Sequence, residues 1–149
     1  MKRTAMIAAT AVLATASLCA QARNEVLKMP IESALAAIKN GKAEGKFDDG
    51  IKLYFLGQAT PKAAQTLGTF TSNKKTNFFN KSDQEGCEWA FASAVISLQE
   101  RAAKEGGNAV VDIYSYYKKD EFKSATEYQC VAGTLLGGVT LRGTVVQLK

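Results

Sequence analysis

The fold is decided between Cys87 and Gly133, a stretch that begins CEWAFASAVISLQERAAKEGGNAVVDIYSYY. Just before it, SDQE has the form of a capping box, in which the Ser82 hydroxyl accepts from the Glu85 amide. Apolar or small residues then recur at helical spacing, namely Cys87, Phe91, Ala94, Val95, Leu98 and Ala102. This stripe predicts an amphipathic helix. We expect its other side to stay mostly in water, namely Glu88, Gln99, Arg101, Lys104 and Glu105.

The helix should end at Gly106 and Gly107, because glycine takes the left-handed C-cap conformation without a steric penalty. Residues 108–117, NAVVDIYSYY, are rich in β-branched and aromatic side chains and predict a strand. Further strands are predicted at 125–133, ATEYQCVAG, and at 139–148, VTLRGTVVQL, with a turn between them. Gly143 is a candidate bulge in the last strand.

The earlier part of the chain supplies weaker signals. Pro30 and the apolar residues that follow it at helical spacing predict a short helix, and residues 40–50, NGKAEGKFDDG, read as an exposed linker. Strands are predicted at 51–57 and 65–72, followed by a basic loop at 73–81. We therefore expect an α+β two-layer sandwich, with one main helix on a mostly antiparallel sheet of about five strands that ends in a three-stranded meander.

Residues 1–22 have the pattern of a secretory signal peptide. Lys2 and Arg3 precede an uncharged, mostly apolar run, and Ala20-Gln21-Ala22 fits the small-x-small cleavage pattern. An uncleaved anchor is the alternative, but a spanning helix needs roughly 20 apolar residues. The predicted organisation is a signal at 1–22, an N-terminal helix and linker at 23–50 and one domain at 51–149, which places the mature chain in the periplasm or outside the cell.

Cys19 raises the alternative of a lipid anchor. A bacterial lipobox needs a small residue before the cysteine, and Leu18 stands there, so we expect no lipidation. The loss of Cys19 would leave Cys87 and Cys130, which an oxidising compartment favours as a disulfide, with two free thiols as the alternative. A metal site is less favoured still, since the chain has no histidine.

Charge restricts the partners only weakly. Removal of Lys2 and Arg3 from the 19 basic residues leaves 17 against 14 acidic ones, a mild excess that does not demand nucleic acid. The missing histidine rules out a Ser-His or Cys-His nucleophile within one chain, so we expect no enzyme and no cofactor.

A candidate binding patch lies on and after the strand at 108–117. It comprises Asp112, Tyr114, Tyr116, Lys118 and Lys119. Strand alternation puts Tyr114 and Tyr116 on one face and Tyr117 on the other. Exposed tyrosines suit a protein partner, although a half-buried sheet edge or, for Asp112, a buried acid would give the same pattern.

Two other aromatic features favour a structural role. Phe78 and Phe79 could form a ligand platform, but such residues more often cover one end of a core. Trp89 lies beside the helical stripe and is expected in the core as well.

Several short motifs together resemble the RcsF-type envelope lipoproteins and the related YbjQ-like small α/β family. They are Leu67-Gly68, Cys87, the string NAVV at 108–111 and CVAG at 130–133, within a resemblance that covers 51–148. The resemblance implies an envelope protein that acts through protein contacts, with disulfides bracing a small domain. RcsF-type proteins also carry a lipobox, a proline-rich tether and four cysteines in two bridges. This chain has Leu18 where a lipobox needs a small residue, only two prolines, and two cysteines after position 22.

The chain also resembles small exported bacterial proteins that are often named excinuclease ATPase subunit. A nucleotide-hydrolysing enzyme needs the phosphate-binding string GxxxxGK[ST]. Here Gly41 and Gly45 are one position too close, and Phe47 stands where the magnesium-binding hydroxyl belongs. The residues do not support that activity.

The sequence therefore predicts an exported, non-enzymatic binding protein of the bacterial envelope. The alternative is a binder of a small ligand or metal ion, of YbjQ-like type, that uses either Lys74 and Lys75 or the tyrosine face.

Overall fold

The structure is a computed structural model that describes residues 22–43 and 45–149. The predicted signal peptide, up to residue 21, and Cys19 lie outside the described residues. The helices and strands follow in the order β1 (Asn24–Pro30), α1 (Ile31–Lys39), β2 (Lys52–Phe55), β3 (Ala63–Asn77), α2 (Asp83–Glu105), β4 (Ala109–Ser115), a 3₁₀ turn (Tyr117–Lys119), β5 (Glu127–Gly133) and β6 (Leu136–Leu148).

The α+β class is confirmed, with a mostly antiparallel sheet against helices. The strand order is β1-β5-β6-β4-β2, and β3 pairs along the other edge of β6. Only β2 and β4 run parallel. The expected meander is wrong, because β6 lies between β4 and β5. With 13 residues, β6 is long enough to pair with β5 at Gly138 and with β4 from Leu141 to Val146.

The segment at 23–30 contains a strand that the sequence did not indicate. β1 pairs antiparallel with β5 over seven residues, from Asn24 opposite Gly133 to Pro30 opposite Glu127. Only Leu27 and Met29 turn toward the core, so the period-2 pattern is too short to identify the strand. Residues 23–30 therefore complete one edge of the sheet, and α1 follows them directly.

The main helix is confirmed at both ends. The Ser82 hydroxyl accepts a hydrogen bond from the Glu85 amide at 3.1 Å, and Gly106 takes the left-handed conformation at φ 81°. Thirteen of the 23 residues of α2 are buried, which exceeds one amphipathic stripe. The reason is that α2 has the sheet on one side, while α1 and the loop after it pack on the other side.

Gln99 and Glu88 are consequently buried, contrary to expectation, at 1% and 5% exposure. Gln99 donates to the carbonyl oxygens of Asp48 and Ile51, at 2.8 and 2.9 Å, and accepts from the Asp48 amide at 3.1 Å. It thereby fixes the loop before β2. Glu88 accepts from Gln84 and pairs with Lys42 at 3.5 Å.

The disulfide between Cys87 and Cys130 is present and joins the first turns of α2 to β5. Both cysteines are fully buried in the main core. Beside them, Phe91 packs against Tyr128 with ring centroids 4.3 Å apart. Trp89, expected in the core, is only partly buried and lies outside the core clusters of the described residues.

Candidate functional site

The sheet has one covered face and one open face. On β6, Val139, Leu141 and Val145 are buried toward α2. The residues between them point the other way and pair with β3, with Thr140 opposite Asn73 and Arg142 opposite Thr71. This second surface, called here the outer face, carries threonines, asparagines and cations. Neither α1 nor α2 covers it, since both pack on the inner side.

A bulge in β4 sets which tyrosines reach the outer face. The register against β6 shifts between Val111 and Tyr114, and Asp112 has φ 51°. The bulge lies in β4 and not at Gly143, where a Cβ atom would come within 2.7 Å of Val110. The extra residue leaves Asp112 exposed and places Tyr114 opposite Arg142.

The tyrosines of the outer face are held in a network. Tyr114 and Tyr116 meet edge to face, with centroids 6.0 Å apart, and the Arg142 guanidinium lies 4.8 Å from the Tyr116 ring centre. The Tyr114 hydroxyl donates to Glu121 at 3.2 Å, and Lys123 pairs with Glu121 at 2.7 Å. Partial burial, followed by the Glu121 charge, raises the pKa of Tyr114, while the Lys123 hydrogen bond lowers the pKa of Glu121. The two tyrosine rings are therefore oriented before any partner arrives.

Next to the network is a groove of about 580 Å³, called here the lysine groove. Its lining comprises Asn24, Thr71, Asn73, Lys75, Tyr116, Tyr117, Lys118, Lys119, Val131, Leu136, Gly137, Gly138 and Thr140. The lining holds three lysines and no carboxylate. Tyr117, expected on the opposite face, lines the same groove as Tyr116, because β4 ends at Ser115 and alternation stops there.

Two of the groove lysines have a strained backbone. Lys118 and Lys119 take left-handed conformations, with φ values of 50° and 69°, which side chains other than glycine rarely adopt. Such strain persists only where the surrounding structure imposes it, and it clusters at functional sites. Within the described part of the chain, neither they nor Lys75 forms an ion pair. The groove therefore presents uncompensated positive charge.

The structure brings together residues that the sequence treated separately. Tyr116, Lys118 and Lys119 lie in the groove with Lys75, which belonged to the alternative site. Lys74 is outside the groove lining, since it neighbours Lys75 and alternates to the other face. Asp112 is exposed, but no hydrogen bond or ion pair within the described residues links it to the tyrosines.

Some groove residues were missed. Asn73 was overlooked because β3 was expected to end at residue 72, whereas it continues to Asn77. Thr71 and Thr140 lay in predicted strands, but the pairing of β3 with β6, which brings the two residues to one face, was not predicted. The string TFTSNKKTN is polar at every position except Phe70, so it gives no alternation from which the strand or its open face could be identified.

Comparison of the chain with protein-family models, with curated proteins and with solved structures finds no match. The resemblance to the RcsF-type family therefore stays a prediction. Among residues 22–43 and 45–149, no group of three or more His, Cys, Asp or Glu side chains could hold a metal ion, and neither helix is long and apolar enough to cross a membrane.

Proposed function

We propose that this chain is an exported, non-enzymatic binding protein of the bacterial envelope, RcsF-like, that works in the periplasm. The observation that carries the proposal is the outer face. It displays a fixed tyrosine pair beside Lys118 and Lys119, which form no ion pair within the described residues. The buried disulfide between Cys87 and Cys130 fits an oxidising compartment.

A protein partner suits the chemistry of this face. Tyrosine and arginine are enriched in interface hot spots, because they give large contact areas together with polar groups. Tyr114, Tyr116 and Arg142 form such a set, and their mutual contacts limit the entropy lost on binding. Lys118 and Lys119 at its edge favour a partner with acidic residues.

Site-specific photo-crosslinking in the exported protein tests this proposal. A photoreactive residue at position 116 should yield one discrete crosslinked protein, whereas the same residue at the exposed position 36 on α1 should yield none. The crosslink should weaken when Lys118 and Lys119 are replaced by glutamate. An identical pattern from both positions, or no crosslink at position 116, would contradict the proposal.

A second candidate function is the binding of a small anion, of the YbjQ-like type. The observation that favours it is the lysine groove, whose size suits a small molecule and whose charge is positive. Thermal-shift measurements with phosphate and with small carboxylates should show stabilisation. Lys75→Gln should abolish it, whereas Lys62→Gln, just before the first residue of β3 and outside the groove lining, should not. If no anion stabilises the protein, this candidate fails.

A further inference from the structure

Three large apolar side chains stand out at one end of the sheet. Phe79, Leu135 and Leu136 are 59%, 59% and 62% exposed. They come from two turns that meet, since the Phe78 amide donates to the Leu135 carbonyl at 2.8 Å and Asn77 pairs with Leu136. This cluster of Phe79, Leu135 and Leu136 is called here the apolar tip.

Packing does not require the apolar tip. Phe78 fills the end of the core and is 4% exposed. Gly86 and Gly137 make room for its ring, because a Cβ atom at either position would lie within 2.6 Å of it. The side chains of the neighbouring Phe79 and of both leucines are exposed to solvent instead. Grouped exposed apolar side chains mark sites of protein or membrane contact.

The charge around the apolar tip is positive. Lys74, Lys75 and Lys81 lie on the adjoining stretch of β3 and the turn after it, and within the described residues none of them forms an ion pair. Of the acids at this end, Glu25 and Asp83 are both bound by Arg23, whereas Glu85, in the first turn of α2, has no ion pair among the described residues. The Arg23 hydrogen bonds lower the pKa of Asp83, so that the carboxylate stays paired.

We propose that this end of the molecule docks on an anionic lipid surface. The apolar tip would enter the boundary between headgroups and acyl chains, while the flanking lysines meet the lipid phosphates. Apolar side chains surrounded by lysines are the composition that partitions to such interfaces. The small number of inserted side chains makes the binding reversible and sensitive to salt. This inference goes beyond the protein-partner function. Phe79 and Leu135 lie outside the lysine groove, whereas Leu136 and Lys75 belong to both surfaces.

Vesicle co-sedimentation tests the proposal. Vesicles that contain phosphatidylglycerol should retain the protein at low salt, and phosphatidylcholine vesicles should not. The double variant Phe79→Ser with Leu135→Ser should bind at least about tenfold more weakly, since two inserted apolar side chains are lost. Ala36→Ser is the control, because Ala36 is exposed on α1, which follows the end of β1 that lies opposite to the tip.

A second pair of variants separates charge from insertion. Lys74→Gln with Lys81→Gln should weaken binding several-fold, whereas Lys39→Gln with Lys62→Gln, away from the tip, should not. Sedimentation by vesicles of either charge, or full binding by the Phe79 and Leu135 variant, would overturn the proposal. So would displacement by free glycerol phosphate, which would place the phosphate in the lysine groove. Phe79 and Leu135 do not line that groove, so the lipid proposal and the anion-binding proposal can be disproved independently of each other.

Discussion

The two faces of the sheet differ although the same strands build them. On β6, Leu141 is fully buried against α2, while its neighbours Thr140 and Arg142 face outward beside the tyrosines. The inner face holds the main core and the disulfide. The outer face holds threonine, tyrosine and lysine, together with a small second apolar cluster of Ala109, Val111 and Val146. The comparison indicates that alternate residues of a strand serve stability and recognition separately.

The largest expected effect on the free energy of unfolding comes from removal of the disulfide on the inner face. Replacement of Cys87 and Cys130 by alanine removes a crosslink between positions 43 apart, and should lower the free energy of unfolding by about 4 kcal/mol in the chain-entropy account. Urea denaturation measures the loss, and reduction of the wild-type protein should reproduce it. An unchanged midpoint after complete reduction would show that the disulfide contributes little.

Loss of a buried amide should have the next largest effect. Gln99→Leu removes three hydrogen bonds to Asp48 and Ile51, and should lower the free energy of unfolding by about 2–3 kcal/mol. Asn73→Ala is the matched change on the outer face and should stay within about 0.5 kcal/mol of wild type. If the two variants lose equal stability, the contrast between the buried layer around α2 and the outer face is wrong.

A glycine in the strained turn should separate recognition from stability. Lys119→Gly relieves the left-handed backbone at φ 69° and should raise the free energy of unfolding by about 1 kcal/mol, after the entropy cost of glycine. The same variant should crosslink less to a partner, because it removes a groove cation. Lys62→Gly, outside the strained turn, should stabilise nothing. A variant that is both less stable and fully able to bind would contradict this reading.

The smallest effect at neutral pH concerns the hydroxyl of Tyr128. Its oxygen has no hydrogen-bond partner in the described structure, so Tyr128→Phe removes a desolvation cost and should raise the free energy of unfolding by up to about 1 kcal/mol at pH 7. Burial, followed by the charge of Glu88, raises the pKa of Tyr128 above its usual value of 10.0.

The sign of the pH dependence follows from that shift. Below pH 10 the hydroxyl is neutral in both states, and above it the unfolded chain ionises first, so stability falls as pH rises from there. Denaturation at pH 9 and at about pH 11 should show a smaller loss for Tyr128→Phe than for wild type. An equal loss in both proteins would exclude Tyr128 as the cause.

Sequence rules predicted correctly those features that depend only on neighbouring residues within one helix or strand. The capping serine, the C-terminal glycine and the main helix were predicted because each depends on neighbours in the chain. The pairing of Cys87 with Cys130 was expected because few cysteines remain for an oxidising compartment.

The features that were not predicted depend on contacts between residues that are far apart in the chain. β1 exists because β5 offers a free edge, and Gln99 is buried because the loop before β2 needs a partner for its backbone groups. The lysine groove could not be predicted from the sequence. Lys75 and Lys119 are far apart in the chain and meet only because β3 and the turn after β4 flank β6.

Hydroxyl-radical footprinting in intact envelopes tests the central claim most directly, because it reads the exposure of individual side chains. Tyr114, Tyr116 and Tyr117 should be oxidised much less in the envelope than in the purified protein, since a partner covers the outer face. Trp89, partly exposed on α2, should be oxidised equally in both. Equal oxidation of the three tyrosines in both samples, or protection confined to Trp89, would contradict the account.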